Sequence, residues 1–227
     1  WGDPAFFKYP KESLYKMMKE AFHMTDEDFR NYTDDIGFDQ VSLPDHPSRI
    51  APEHLEALKK IVGKEFVTTG DYERLSVAYG CTGYDLLRLR HKQIDSLPDV
   101  VVYPDTTEQV EELVHYAAEH KLPLYVYGGG SSVTRGVEPI KGGISLDMRK
   151  RFNKILSFNE VDQTITVQAG LSGPALEEAL QDAPNRFGAK RQYTCGHFPQ
   201  SFEYSSVGGW VVTRGAGQNS TYYGTIA

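Results

Sequence analysis

Apolar positions change their spacing three times along the chain, and each change marks a different kind of element. Leu14, Met17, Met18, Ala21 and Phe22 recur at i, i+3, i+4, i+7 and i+8, the stripe of a helix that packs by one face. Pro44, Pro47 and Pro52 punctuate a loop. Pro52 suits the first turn of a second helix whose inner face is Leu55, Leu58, Ile61 and Val62. From Val100 the spacing shortens. Val100-Val101-Val102-Tyr103-Pro104 is a β-branched run stopped by proline, as a buried strand would be. Thr106 and Gln109 stand at capping-box spacing before a helix with Val110, Leu113, Val114, Ala117 and Ala118 on one face. Pro123 to Tyr127 is the next strand, and this β-α-β order predicts a parallel crossover. Gly143 to Met148 forms a third run. After it Lys154–Phe158 and Thr164–Gln168 flank the polar turn Asn159–Asp162, an antiparallel pair whose second strand alternates with period two. Ser172 then caps a helix carrying Leu176, Ala179 and Leu180. Residues 1–92 therefore read as a mainly helical region, and residues 93–227 as an α+β domain.

Composition narrows the chemistry. The 227 residues are 40% hydrophobic and 24% charged, an ordinary globular balance that needs no disulfide or metal staple. The net charge of −7 argues against a nucleic-acid partner held by a general basic field, and leaves room for one local anion site. Cys81 and Cys195 are too sparse for a secreted disulfide scaffold, so a reducing, cytoplasmic setting is expected, with a peripheral membrane association left open. Neither lies in a C-x-x-C pair and the seven histidines lack ligand spacing, so no metal site is expected. No apolar run is long enough for a transmembrane helix. The chain begins at Trp1, so its natural start is expected upstream, where a targeting segment would lie out of view.

The second strand delivers the chain into Gly128-Gly129-Gly130-Ser131-Ser132. Glycine permits positive φ and puts no side chain between backbone and ligand. Consecutive N–H groups make an anion nest, and serine hydroxyls add donors. The spacing is neither G-x-x-x-x-G-K-[ST] nor G-x-G-x-x-G, because Val133 stands where the latter needs its third glycine. A second segment, Gly196 to Gly217, adds further hydroxyls, the Gly208-Gly209 pair and Arg214. Arg214 has two readings, a phosphate partner or a cap on a helix carboxyl end.

Together these segments resemble the FAD-binding domain of the vanillyl-alcohol oxidase superfamily, the PCMH-type fold, and within it the alkyldihydroxyacetonephosphate synthases. Tyr127 to Val133 is similar to the family's I-G-G-G-T-S-V pyrophosphate loop, with Ser131 for threonine. Gly196 to Gly217 follows its G-H-x-P-x-S-x-E-x-S-x-V-G-G-W-V-x-T-R-x-x-G signature, and Tyr223 to Ile226 its Y-G-x-I. Trp1-Gly2 and Tyr84 to Arg90 are looser echoes of the N-terminal region.

The resemblance implies FAD contacts at Val126, Tyr127, Gly128, Gly129, Gly130, Ser131 and Ser132. It implies a second set at Gln200, Ser201, Phe202, Glu203, Tyr204, Ser205 and Ser206, and a third at Thr213, Arg214, Gly215 and Ala216. Relatives that attach FAD covalently often carry a histidine near the glycine loop. None lies between Gly128 and Gly136, which implies non-covalent FAD, with His197 and Cys195 the weaker linkage candidates. The fold implied is two α+β subdomains, the second incomplete, preceded by the helical region. The rest of the flavin domain and the substrate cap, with the catalytic residues, are expected beyond Ala227, so the fragment alone is expected to be inactive. The implied activity is exchange of acyl for alkyl on acyl-dihydroxyacetone phosphate, a lipid-like substrate, in ether-lipid synthesis, with a homodimer as one assembly. The alternatives are an FAD-linked D-2-hydroxy-acid dehydrogenase or oxidase acting on a small molecule, and a non-catalytic flavin-binding module.

Overall fold

The computed structural model describes residues 11–30 and 41–226. Trp1, Gly2 and Ala227 lie outside the described residues. The chain divides into two compact units, Trp1–Val41 and Ser42–Ala227.

In the first unit α1 (Glu12–Phe22) follows the expected stripe and ends at His23 in the left-handed conformation, φ 55°. α2 (Asp26–Arg30) begins at a reciprocal cap, where the Asp28 carboxylate accepts from Thr25 N–H at 2.7 Å. Tyr15 meets Phe29 edge-on at 4.7 Å. The stripe does not bury as expected: no residue of α1 is buried, and Leu14, Met17 and Phe22 are exposed.

In the second unit a four-stranded sheet runs in the order β1-β2-β4-β3. Its strands are β1 (Val67–Thr68), β2 (Val100–Val102), β3 (Leu124–Tyr127) and β4 (Ile144–Asp147). β4 is parallel to both β2 and β3, and β1 is antiparallel to β2. The β-α-β pair is thus parallel as expected but not adjacent, because the third run inserts between them. Strands β2 and β4 are buried throughout. β2 is an unbroken apolar run, as a strand covered on both faces tends to be, whereas β4 buries the polar Ser145 and Asp147 beside Ile144 and Leu146, and edge strand β3 is only half-buried.

Successive residues of β2 point to opposite faces. Val100 and Val102 pack with Leu58 and Val62 of α3 (Pro52–Val62) and with Leu113 and Ala117 of α6 (Thr107–Glu119). Val101 and Tyr103 pack with Val77 and Tyr127 on the other side. Thr106 caps α6 by accepting from Gln109 N–H, but Gln109 returns its bond to Asp105 N–H, not to Thr106. The expected face of α6 is partly wrong. Val114 and Ala118 follow Leu113 and Ala117 by one residue, which turns them about 100° toward solvent, and Tyr116 packs in their place. α4 (Asp71–Ser76) and α5 (Gly83–Arg90) complete this half. The unit spans residues 92 and 93, since β1 lies before that point and is hydrogen-bonded to β2 after it.

The hairpin β5 (Ile155–Asn159) and β6 (Thr164–Val167) follows, with Asn159 Oδ1 accepting from Val161 and Asp162 N–H groups across the turn. Ser172 caps α7 (Gly173–Gln181) as expected, and α8 (Ala183–Phe187) continues it. A 3₁₀ turn at Phe202–Tyr204 leads to α9 (Val207–Val212) and α10 (Ser220–Tyr223). Leu171, Leu176, Leu180 and Trp210 form this layer's core. The three parallel strands end on one edge of the sheet, at Tyr103, Gly128 and Met148, the edge where parallel sheets hold ligands.

Candidate flavin site

The β3–β4 ladder makes its last rung where Met148 N–H donates to the Tyr127 carbonyl at 3.0 Å. Beyond it the chain leaves the sheet. Among the described residues, the N–H groups of Gly128, Gly129, Gly130, Ser131 and Ser132 donate to no protein acceptor. Gly130 is buried and its neighbours are half-buried. Consecutive backbone N–H groups of this kind can form an anion nest. A pyrophosphate fits this donor set, and the Ser131 and Ser132 hydroxyls extend it.

The glycines are required for a reason the sequence does not display. A Cβ on Gly129 would sit 2.0 Å from the Tyr204 carbonyl oxygen and 2.5 Å from the Ser205 Cα. On Gly128 it would lie 2.3 Å from Ser206 Oγ. At these two positions the space belongs to the second motif, not to a ligand. Gly130 has φ +68°, and a Cβ there would meet the Tyr127 hydroxyl. The structure therefore brings the glycine loop directly against Tyr204–Ser206, segments far apart in the chain.

The second motif is anchored differently. Val207 and Gly208 N–H groups donate to the Leu171 and Ala169 carbonyls, both at 2.9 Å. Gly209 N–H bonds Ser206 Oγ, which caps α9. Ser205 Oγ accepts from Trp210 Nε1 at 2.6 Å and donates to the Ser201 carbonyl at 2.7 Å. That hydroxyl is committed to packing. Phe202 is half-buried, while Gln200, Glu203 and Tyr204 are exposed on the same turn. The third set lies at the far end of α9. Thr213 Oγ donates to the Gly209 carbonyl at 2.7 Å. Arg214 takes φ 51°, with its N–H on the Val211 carbonyl and Gly215 N–H on that of Trp210. These two bonds are a Schellman cap, so the backbone of Arg214 does end a helix. Its guanidinium, like Ala216, is exposed. Val126 is also exposed, and Tyr127 is buried beneath the loop.

A cleft of about 310 Å³ opens on the same sheet edge, lined by Tyr72, Ser76, Tyr103, Asp147, Arg149 and Lys150 among others. Arg149 grips the buried Asp147 carboxylate through Nε at 2.9 Å and Nη2 at 2.6 Å, and covers the Tyr127 ring at 4.6 Å. Burial pushes the Tyr127 hydroxyl up to about 12. Burial, then the Asp147 charge, raises Tyr103 as well. Both phenols stay protonated.

Both cysteines are free thiols. Burial pushes the Cys195 thiol up to about 11, and its Sγ–H donates to the His197 carbonyl at 3.4 Å. His197 is buried against Trp210, and burial lowers its pKa. No group of three metal-ligating side chains occurs, and no helix is long and apolar enough to cross a membrane, among the described residues.

What sequence reasoning missed is the brace behind the loop. Cys81 N–H donates to the Ser132 carbonyl at 2.9 Å and Cys81 Sγ to the Gly130 carbonyl at 3.2 Å. These bonds turn the two carbonyls toward Cys81, so the N–H groups trans to them, those of Ser131 and Val133, face the other way. Behind Cys81 stand the buried charges Arg88, Asp85 and Glu138. Arg and Glu ordinarily read as solvated faces, and only the looser likeness at Tyr84 to Arg90 touched this region.

Comparison with known proteins agrees with this geometry. An alkyldihydroxyacetonephosphate synthase from Trypanosoma brucei brucei is 30% identical over 96% of this chain, which covers 35% of that protein. A mitochondrial D-lactate dehydrogenase [cytochrome] 1 of Saccharomyces cerevisiae is 27% identical over 76% of the chain and 27% of its own length. A solved alkyldihydroxyacetonephosphate synthase superposes with a TM-score of 0.79 at 29% identity, over 94% of this chain and 38% of that one. The chain thus spans about a third of the synthases it matches. The α+β architecture expected of a PCMH-type flavin domain is the one found. Residues 98–227 match the FAD binding domain family, and the chain belongs to it.

Proposed function

We propose that this chain is the cofactor-holding part of a flavoenzyme that exchanges the acyl group of acyl-dihydroxyacetone phosphate for a long-chain alkyl group. The observation that carries the flavin assignment is the row of N–H groups at Gly128–Ser132 that meet no acceptor among the described residues, with Cys81 behind and Tyr204–Ser206 in front. Likeness to the synthases across almost the whole chain supports the choice of reaction over a D-2-hydroxy-acid dehydrogenase.

When bound, FAD supplies a ring that can trap or accept what the substrate releases. This chain's residues do the holding. Backbone donors of the glycine loop take the pyrophosphate, and the Ser131 and Ser132 hydroxyls join them. Tyr204–Ser206 wall the loop, and Gln200–Glu203 on the turn before them and Thr213–Ala216 offer further contacts, with the Arg214 guanidinium as a charge. A Cys195 thiol held protonated and hydrogen-bonded makes a poor nucleophile, and His197 is enclosed. Both facts favour a flavin held without a covalent bond. The substrate cap, the catalytic residues, a homodimeric assembly and a cytoplasmic, membrane-peripheral setting complete this reading. The non-catalytic module is the less favoured alternative.

The test uses the full-length protein. We expect acid precipitation to release FAD into the supernatant with no flavin left on the protein. We also expect labelled fatty alcohol to enter the ether product when acyl-dihydroxyacetone phosphate is supplied. Bleaching of the flavin by D-lactate, with no alcohol incorporated, would move the assignment to the hydroxy-acid dehydrogenases. A full-length protein with no flavin would remove both.

A further inference from the structure

One buried charge cluster braces the second half of the glycine loop and the connection that leaves it. Arg88 on α5 is 2% exposed, and its Nη2 donates to Glu138 at 2.8 Å and to Asp95 at 3.1 Å. Its Nη1 reaches Asp85 at 3.4 Å. Glu138 lies in the connection that leaves the glycine loop, and its other oxygen accepts from Arg135 at 2.6 Å. The Ser96 hydroxyl donates to the oxygen already bound by Arg88, also at 2.8 Å. The Arg88 guanidinium covers the Tyr79 ring at 4.6 Å, and the Tyr79 hydroxyl accepts from Asp95 and Ser96 N–H groups. Asp85 forms the capping box of α5 with Thr82.

These contacts form a closed path. Tyr79 and Thr82 flank Gly80 and Cys81, the two residues that touch the loop. Cys81 holds the Gly130 and Ser132 carbonyls, and Gly80 lies so close that a Cβ would come 2.2 Å from the Ser132 oxygen. From Ser132 the chain runs through Arg135 and Glu138 back to Arg88. A buried ion cluster is a poor source of stability, since desolvating several charges offsets most of their attraction. What it does supply is direction: the two terminal nitrogens of Arg88 are fixed by three carboxylates, while its Nε is buried without a partner.

We infer that Arg88 and Glu138 are positioning residues for flavin, acting through Gly80 and Cys81 to fix the Gly130 and Ser132 carbonyls and with them the opposite-facing N–H groups of Ser131 and Val133. The inference rests on the flavin reading above. It separates two roles that a core salt bridge could have, and they differ in what they move. A bridge that only stabilises the fold changes the melting temperature. One that aims the loop changes the affinity for a diphosphate in protein that is still folded.

The experiment uses full-length protein stripped of flavin and titrated with FAD, read by quenching of flavin fluorescence and by the visible circular dichroism of the bound flavin. Glu138→Gln removes the charge at nearly constant shape. Gly80→Ala leaves the cluster intact and pushes a methyl onto the Ser132 carbonyl. We expect each to raise the FAD Kd by about tenfold or more, equivalent to about 1.4 kcal/mol, and to alter the dichroism of bound flavin. Arg88→Lys is expected not to rescue, because an ammonium cannot reproduce the guanidinium fork. If Glu138→Gln does not fold, Arg88→Lys is titrated in its place, and a Kd within about twofold of wild type there would overturn the inference. Variants with lowered melting temperature and a Kd within about twofold of wild type would overturn the inference and leave the flavin reading standing. A wild-type protein that binds no FAD would overturn the flavin reading first, and this inference with it.

Discussion

Gly128–Ser132 and Ser205–Gly209 have nearly the same composition, yet the structure uses them in opposite ways. The first leaves its N–H groups without acceptors among the described residues. In the second, Val207, Gly208 and Gly209 donate theirs within the fold, and the Ser205 hydroxyl is occupied by Trp210 and Ser201. One segment ends a parallel strand on an open sheet edge, while the other is tied to the β6–α7 connection through the Ser172–Ser206 bridge. Small residues and hydroxyls therefore indicate close approach. Only the surrounding ladder decides whether a ligand or another segment makes it.

The largest expected break in this contrast is Gly129→Asp. The new side chain would be driven into the Tyr204–Ser205 backbone, which has no flexible end to yield. We expect loss of all bound flavin and destabilisation of at least about 3 kcal/mol, the upper end for overpacking. Flavin absorbance per mole of purified protein and a urea midpoint would check it, and stoichiometric flavin would refute the loop assignment.

Acid should come next. Burial alone would raise Glu138, but hydrogen bonds from Arg135, Arg88 and Ser96 outweigh it and hold the carboxyl at about 2. A carboxyl depressed in the folded state stabilises above its unfolded pKa, about 4.3, and that contribution fades as pH falls toward about 2. Urea midpoints measured across this window should drop in the wild type, and the drop should be smaller in Glu138→Gln.

Ser205→Ala sharpens the contrast from the other side. It strips the buried Trp210 N–H of its acceptor, a cost of about 1–3 kcal/mol, while FAD affinity in folded protein should change little. A fall in affinity with unchanged stability would return that hydroxyl to the cofactor. The smallest effect is expected for Arg214→Gly. Relief of the left-handed conformation should raise stability by about 1 kcal/mol, seen as a rise in Tm.

Much of the fold was legible because it rests on local rules. Val100–Val102, Ile144–Asp147 and the alternating Thr164–Val167 are strands by apolar run or period, and Thr106 and Ser172 cap the helices they precede. The two-residue strand β1 is too short for any period, and the insertion of β4 between β2 and β3 is a long-range choice that no local pattern encodes. The α1 stripe shows the converse, a clear helical period with no buried residue. At the site, the glycine loop could be read from its residue types, but the reason for Gly129 could not. It depends on Tyr204, brought close only by the fold. Arg88, Asp85 and Glu138 carried no local sign of burial at all.

On the proposed reading the Gly128–Ser132 N–H groups, which meet no acceptor among the described residues, hold the cofactor. Hydrogen–deuterium exchange on the peptide spanning Tyr127–Ser132, in full-length protein with and without FAD, tests it most directly. Fast exchange at Gly128–Ser132 without flavin, and marked protection on binding, is the predicted result. Exchange that stays equally fast with flavin fully bound would contradict it.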